Sequence, residues 1–95
     1  MLNAMASDIA AWREEKGFIT GKPNMMEKLM LVVTEVAEAA EDVRHDNWEH
    51  FEEEIADTMI RLLDITGTLG IDIETAIAKK MTVNRGRPWR HGKLL

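Results

Sequence analysis

The chain has 95 residues, with 12 lysines and arginines against 17 aspartates and glutamates, and its formal net charge is −5. This length fits one domain, and the negative charge argues against a general nucleic-acid binder. The absence of cysteine excludes a disulfide framework and a thiolate metal site. No stretch reads as a signal peptide, and the longest apolar run, 29–33, is far shorter than the roughly 20 residues that span a bilayer. We therefore expect a cytoplasmic protein that binds neither nucleic acid nor membrane.

The spacing of apolar residues predicts helices along the chain. A first helix over about residues 3–16 carries Ile9 and Trp12 on its apolar side. Asn24 followed by Glu27 predicts a capping box at the start of a second helix, which continues to about Arg44.

A turn at residues 45–47 separates the second helix from a third, which is predicted over about residues 48–69. A shorter fourth helix is expected over about residues 73–85, with Ile77 and Met81 facing inward.

These elements predict an all-α fold, in which the second and third helices form an antiparallel hairpin and shorter helices flank it. A single domain would cover residues 1–95 and end in an extended basic tail from about residue 86. The broad apolar stripes of the hairpin leave surface that a second copy would cover. We therefore expect a four-helix-type bundle in a homodimer or homotetramer.

Four carboxylates are placed symmetrically about the turn. Glu38 precedes Asp46 by eight residues and Glu54 follows it by eight, whereas Glu35 and Asp57 stand eleven residues away on either side. In an antiparallel hairpin the two pairs lie at matching heights, about 12 and 16 Å from the turn at 1.5 Å per residue. The spacing within each pair puts both side chains on one helix face. The sequence therefore predicts that four carboxylates converge in one small volume.

A helical wheel favours a simpler interpretation, because these carboxylates lie opposite the apolar stripes, where acidic residues are usually solvated. Three features argue against it. The equal distances from the turn are unexpected for independent surface charges, and Leu31 and Ile65 lie among the polar residues of the same face. Carboxylates that are close across two helices also repel each other unless a cation neutralises them.

The type of ligand indicates the cation. A set of carboxylate oxygens suits a hard divalent ion, which favours Mg²⁺, with Mn²⁺ as the alternative, over zinc. A di-iron site would require Glu-x-x-His motifs, whereas Asp57 occupies the position of that histidine after Glu54.

The fourth helix carries groups that bind phosphate. Lys80, Asn84 and Arg87 follow one another at helical spacing and supply an ammonium, an amide and a guanidinium fork. Each alone is typical of a solvated surface, but as a set beside a metal cluster they are predicted to bind substrate phosphates.

The ordered motifs resemble the MazG-like family of all-α nucleoside triphosphate pyrophosphohydrolases, which are relatives of the dimeric dUTPases and dCTP pyrophosphatases. The resemblance rests on E-x-x-E at Glu35–Glu38, E-x-x-D at Glu54–Asp57, K-x-x-x-N at Lys80–Asn84, and the following R-x-R-P-W-R-H-G. It covers nearly the whole chain and is specific for the superfamily rather than for one substrate.

The resemblance implies roles for particular residues. The four carboxylates would bind Mg²⁺, and Glu35 would also accept a proton from the attacking water. Trp12 would contact the base, although its place on the apolar stripe of the first helix fits a core tryptophan equally well. Lys80 and Asn84, with Arg87, would hold the departing pyrophosphate. The implied products are a nucleoside monophosphate and pyrophosphate, and the implied assemblies are dimers or tetramers with sites near subunit interfaces. The alternative is a non-enzymatic helical interaction module that binds through the basic tail around Trp89.

Overall fold

The computed structural model describes residues 1–87, and these residues form four α-helices and a short 3-10 turn. The elements are α1 (Leu2–Glu15), the 3-10 turn (Lys22–Asn24), α2 (Met25–Arg44), α3 (Trp48–Leu69) and α4 (Ile73–Arg85). No strand occurs in this part of the chain, so the predicted all-α fold is confirmed there. The basic tail around Trp89 lies outside the described residues. None of the four helices is long and apolar enough to cross a membrane.

Polar side chains and a glycine set the ends of α3 and α4 where the sequence predicted them. Asn47 Oδ1 accepts a hydrogen bond from the backbone N–H of His50 at 3.2 Å, which caps α3. Asp72 Oδ1 accepts from the backbone N–H of Thr75 at 3.1 Å and caps α4 in the same way. Gly70 ends α3 with φ of 67°, a conformation that favours glycine.

The predicted capping box at the start of α2 is wrong. Asn24 holds the N-cap position, but its side chain makes no capping hydrogen bond to α2. Its Oδ1 instead accepts from the Gly21 N–H at 2.9 Å, and its Nδ2 donates to the Ile19 carbonyl at 2.8 Å. Asn24 therefore closes the loop that precedes the helix, because the 3-10 turn directs its side chain backwards.

Helices α1 and α2 both pack on α3. The crossing of α1 over α3 is very close at Gly67, where an added Cβ would lie 2.3 Å from the Ala6 carbonyl oxygen and 3.3 Å from the Ala10 Cβ. Ala6 is buried in this contact. The missing side chain of Gly67 thus allows the two helix backbones to approach.

Replacing Gly67 with alanine is expected to lower the free energy of unfolding by about 2–3 kcal/mol, since overpacking against backbone atoms displaces α1. Alanine is the better helix former by about 1 kcal/mol, so the loss would reflect the collision alone. Denaturant unfolding measures the change. Gly21→Ala is the control, because its new Cβ would meet the Pro23 ring at an ordinary 3.5 Å. Equal stability of Gly67→Ala and the wild type would contradict the close helix crossing.

The contact between α2 and α3 is polar. Hydrogen bonds cross it from His50 to Asp42 and from Arg61 to Glu35. The residues on this face recur at spacings of three and four: Lys28, Leu31, Glu35, Glu38 and Asp42 on α2, and His50, Glu54, Asp57, Arg61 and Asp64 on α3. The face that a helical wheel marks as the solvated one is therefore turned into the hairpin.

The apolar stripes of the hairpin lie on its outside. Within residues 1–87, no large side chain is fully buried. Each of the following stripe residues is at least 37% exposed: Leu29, Val33, Val36 and Val43 on α2, and Ile55, Met59 and Leu62 on α3. A contiguous apolar surface of this kind is typical of a face that meets another protein surface.

Helix α4 packs on α1, and the prediction that its apolar side faces inward is wrong. Ile77 is 42% and Met81 37% exposed. The contact is made at the first turn of α4 by polar groups of the chain's first residues. The Met1 ammonium lies 2.7 Å from Glu74 Oε2, and the Asn3 side chain donates to Asp72 Oδ1 at 2.8 Å. This anchor holds one end of α4 and leaves its apolar side open.

Candidate active site

Three of the predicted carboxylates come together between α2 and α3. Glu35, Glu38 and Glu54 each offer an oxygen, and these oxygens lie within 4.8 Å of one another. We call this group the acidic trio. The Glu35 side chain is 13% exposed and Glu54 is 6% exposed as a residue, so most of the cluster is shielded from water. The register predicted from the turn therefore holds for these three residues.

Within the acidic trio, Glu54 and Glu35 shift each other's pKa in opposite directions. The hydrogen bond between Glu54 and Glu35, together with burial and the nearby Glu38, raises the pKa of Glu54 to about 7. The same hydrogen bond and the Arg61 guanidinium hold the pKa of Glu35 below its usual value. Glu54 Oε2 is buried and has no hydrogen-bond partner among the described residues. A buried, unpartnered oxygen within an all-oxygen donor set fits a hard divalent cation.

In metal-free protein, stability is expected to fall as the pH rises. Glu54 titrates at its ordinary 4.5 when unfolded and at about 7 when folded, so the folded state holds this proton more tightly. The stabilisation is complete below pH 4.5 and is lost as the pH rises through 7. Asp42 raises the pKa of His50, so stability that depends on the protonated histidine is also lost as the pH rises. Thermal unfolding in chelator between pH 5 and 8 measures the slope, and Glu54→Gln is expected to reduce it. If the slope is unchanged in that variant, the pH dependence of stability comes from other groups.

Asp57, the fourth predicted carboxylate, stands apart from the trio. It is exposed and lies about one turn beyond Glu54 on α3, where it lines a cavity together with Glu35. The predicted set of four is thus divided into three grouped carboxylates and one beside the cavity.

The cavity has a volume of about 530 Å³ and lies between α1, α2 and α3. Its aromatic part is formed by Trp12 and Phe18, which are 56% and 68% exposed. Lys28 and Arg61 line it as well, and Arg61 Nε donates to Glu35 Oε1 at 3.0 Å. The cavity therefore combines an exposed aromatic surface, cationic groups and two of the predicted metal-binding carboxylates.

A hydrogen-bonded cluster holds one wall of the cavity. Arg13 donates from Nε to Asp64 Oδ1 at 3.0 Å, and it donates to the Phe18 carbonyl at 3.0 Å. Thr20 donates to the other Asp64 oxygen at 2.7 Å. The cluster ties α1 and the following loop to α3, and it thereby places Phe18 at the cavity.

Several residues of the cavity were not predicted as site residues, among them Lys28, Arg61 and Phe18. Lys28 stands seven residues before Glu35 on the same face of α2, and Arg61 continues the line of Glu54 and Asp57 on α3. The helical spacing of both residues therefore places them on the face of the carboxylates. Phe18 follows the end of α1 in a loop, where no such spacing applies.

The predicted phosphate ligands of α4 are not part of the cavity. Among residues 1–87, its lining includes neither Lys80, Asn84 nor Arg87. Lys80 is exposed, whereas Asn84 is 9% exposed and its Oδ1 has no partner in the same part of the chain. The physical reason is that α4 is anchored on α1 at its first turn, through Asp72 and Glu74, whereas the predicted ligands lie towards or beyond its other end.

Comparisons with known proteins identify relatives. The model of the MazG nucleotide pyrophosphohydrolase domain matches residues 24–91. A dATP/dGTP diphosphohydrolase of Cyanophage S-2L is 32% identical over 85 residues, which cover 90% of this chain and 74% of that protein. A dATP/dGTP diphosphohydrolase of Salmonella phage PMBT28 is 54% identical over 37 residues, which cover 39% of this chain but 13% of that protein. No solved structure gives a significant match.

Proposed function

Because the chain belongs to the MazG nucleotide pyrophosphohydrolase family, we propose that it hydrolyses purine deoxynucleoside triphosphates to the monophosphate and pyrophosphate. Membership confirms the family and the enzyme class predicted from sequence. The choice of dATP and dGTP is supported by the names of the two phage relatives. The observation that carries the proposal is the acidic trio, in which Glu35 and Glu54 are shielded from water and Glu38 is exposed, beside a cavity with exposed aromatic groups.

Glu35, Glu38 and Glu54 are the proposed ligands of a divalent cation, with Asp57 contributing from the side of the cavity. Mg²⁺ is the proposed ion, with Mn²⁺ as the alternative, because all the donors are carboxylate oxygens. When bound, such an ion polarises a phosphoryl group and lowers the pKa of a water molecule. The raised pKa of Glu54 and its unpartnered oxygen support this role, since a cation would stabilise the ionised carboxylate and bind that oxygen.

Glu35 is the proposed general base. It is the member of the acidic trio that also lines the cavity, so it borders both the proposed ion and the space for substrate. Arg61 holds Glu35 at 3.0 Å and, after the hydrogen bond with Glu54, helps to keep its pKa low. Glu35 is therefore ionised near neutral pH and is able to accept a proton from water.

Trp12 and Phe18 are the proposed contacts of the base. Both rings are more than half exposed while lining the cavity, and stacking on a nucleobase would cover them. An aromatic surface holds any base by its face, so this contact explains binding rather than a choice between purines and pyrimidines.

The proposed phosphate ligands come from two places. Lys28 lines the cavity itself, whereas Lys80 and Asn84 on α4, and Arg87 just after it, would reach the cavity from a second subunit. This arrangement is supported by the exposed apolar stripes of the hairpin, which a second copy would cover. We therefore propose a homodimer as the smallest active assembly.

Substrate preference tests the proposal. The protein is incubated with dATP, dGTP, dCTP, dUTP and ATP, each with Mg²⁺ and with chelator, and the products are separated by ion-exchange chromatography. We expect monophosphate and pyrophosphate, loss of activity with chelator, and kcat/KM at least about tenfold higher for dATP and dGTP, which corresponds to about 1.4 kcal/mol. A preference for dCTP or dUTP would contradict the substrate class, and no turnover of any nucleotide would contradict the activity.

A further inference from the structure

A histidine and an aspartate that have no role in the proposed site lie directly behind Glu54. His50 stands one turn before Glu54 on α3, and its Nε2 is 3.6 Å from Glu54 Oε1. Its Nδ1 lies 2.9 Å from each carboxylate oxygen of Asp42 on α2. The Asp42 side chain is 13% exposed and that of His50 is 49% exposed.

This pair lies nearer the turn between α2 and α3 than the acidic trio does. The remaining neighbours of Glu54 in the acidic trio, Glu35 and Glu38, have no fixed donor to offer it and repel it when ionised. His50 is a ring held in place by Asp42, and its Nε2 lies at ion-pair distance from Oε1, while Oε2 is buried without a partner in the part of the chain described. Polar groups that contact a ligating carboxylate orient it towards its metal ion.

We propose that Asp42 and His50 form a positioning pair, which holds Glu54 Oε1 so that Oε2 is presented to the divalent cation. The proposal rests on the proposed metal role of Glu54 and adds two residues to it. Neither residue lines the cavity, and both Asp42 oxygens are engaged by the imidazole, so the pair acts through Glu54 rather than on the substrate.

The affinity of nucleotide-free protein for Mn²⁺ tests the pair directly. We expect His50→Ala and Asp42→Ala each to weaken Mn²⁺ binding about tenfold, as is usual for groups that orient a metal ligand. The double variant is expected to lose no more than either single variant, because the two residues act as one unit. Isothermal titration calorimetry measures all three affinities without substrate.

Two further variants separate positioning from structure. His50→Gln keeps an N–H that reaches Glu54, so it is expected to restore most of the affinity. His45→Ala is the matched control, because His45 lies in the same turn region and its Nδ1 is 4.0 Å from Glu41 instead. In activity assays, the Mg²⁺ concentration for half-maximal rate should rise in His50→Ala while kcat at saturating Mg²⁺ stays within about twofold of wild type.

Two results would overturn the proposal. Mn²⁺ affinity that is unchanged in both His50→Ala and Asp42→Ala would remove the positioning role. Electron spin-echo modulation from an imidazole nitrogen in the wild-type Mn²⁺ complex would show that His50 is itself a ligand. Failure of the proposed metal site gives a different result. The wild-type protein would then not bind Mn²⁺, or the Glu54→Gln variant would bind it as tightly as the wild type does.

Discussion

Glu54→Gln is expected to lower kcat/KM about 100- to 1000-fold without destabilising the metal-free protein. The loss follows because one ligand oxygen and one negative charge leave the proposed cation site. Stability is preserved because glutamine is neutral and its amide donates to Glu35 and Glu38, whereas an ionised Glu54 repels them. The opposite behaviour of activity and stability distinguishes a metal ligand from a structural residue.

Initial rates at several Mg²⁺ concentrations and thermal unfolding in chelator measure the two effects. Glu52→Gln is the control, since Glu52 is an exposed glutamate on the same helix that lies outside the acidic trio. The control should keep wild-type rates. A Glu54→Gln variant that retains wild-type activity, or that unfolds well below the wild-type temperature in chelator, would contradict the assignment.

Val33→Lys is expected to separate the proposed dimer into monomers. Val33 is 54% exposed at the middle of the apolar stripe of α2, so burial of its exposed half by a second copy is worth about 1 kcal/mol. In a two-fold symmetric interface this contribution is lost twice, so the dissociation constant should rise at least about tenfold. Activity should fall with it, because the α4 groups proposed to bind phosphate would come from the second subunit.

Light scattering at several protein concentrations measures the mass, which should approach that of one 10.8 kDa chain in the variant. Ala56→Lys is the matched control, because Ala56 is exposed among the outward-facing residues Glu49, Glu52 and Glu53. The control should keep the wild-type mass and rate. A wild-type protein that is monomeric at micromolar concentration yet fully active would contradict both the dimer and the shared site.

Much of the fold could be predicted because its signals are local. Asn47 and Asp72 cap helices with side chains that reach three residues along the chain, and Gly70 adopts the conformation that ends α3. The convergence of Glu38 and Glu54 followed from counting residues on either side of one turn, since helical rise is constant. Predictions of this kind depend on short-range geometry, which a sequence carries directly.

The parts that could not be predicted depend on contacts between distant residues. The place of α4 is determined by Asn3 and the chain's amino terminus, which lie about 70 residues before it in the sequence. Helical periodicity does not predict a contact of this kind. Phe18 reaches the cavity because Arg13 and Asp64 hold its loop. The helical wheel also misled at Glu54, because a face rich in carboxylates is usually solvated and here is turned into the hairpin.

Phosphorus NMR of a single reaction shows which phosphate bond of the nucleotide the protein hydrolyses and whether a divalent cation is required. The protein is mixed with dATP and Mg²⁺, the spectrum is followed over time, and the reaction is repeated in chelator and with Glu38→Gln. We expect the triphosphate signals to be replaced by those of dAMP and pyrophosphate, and both repeats to show no conversion on the same timescale. Formation of dADP and orthophosphate, or conversion that persists in chelator, would contradict the proposed function.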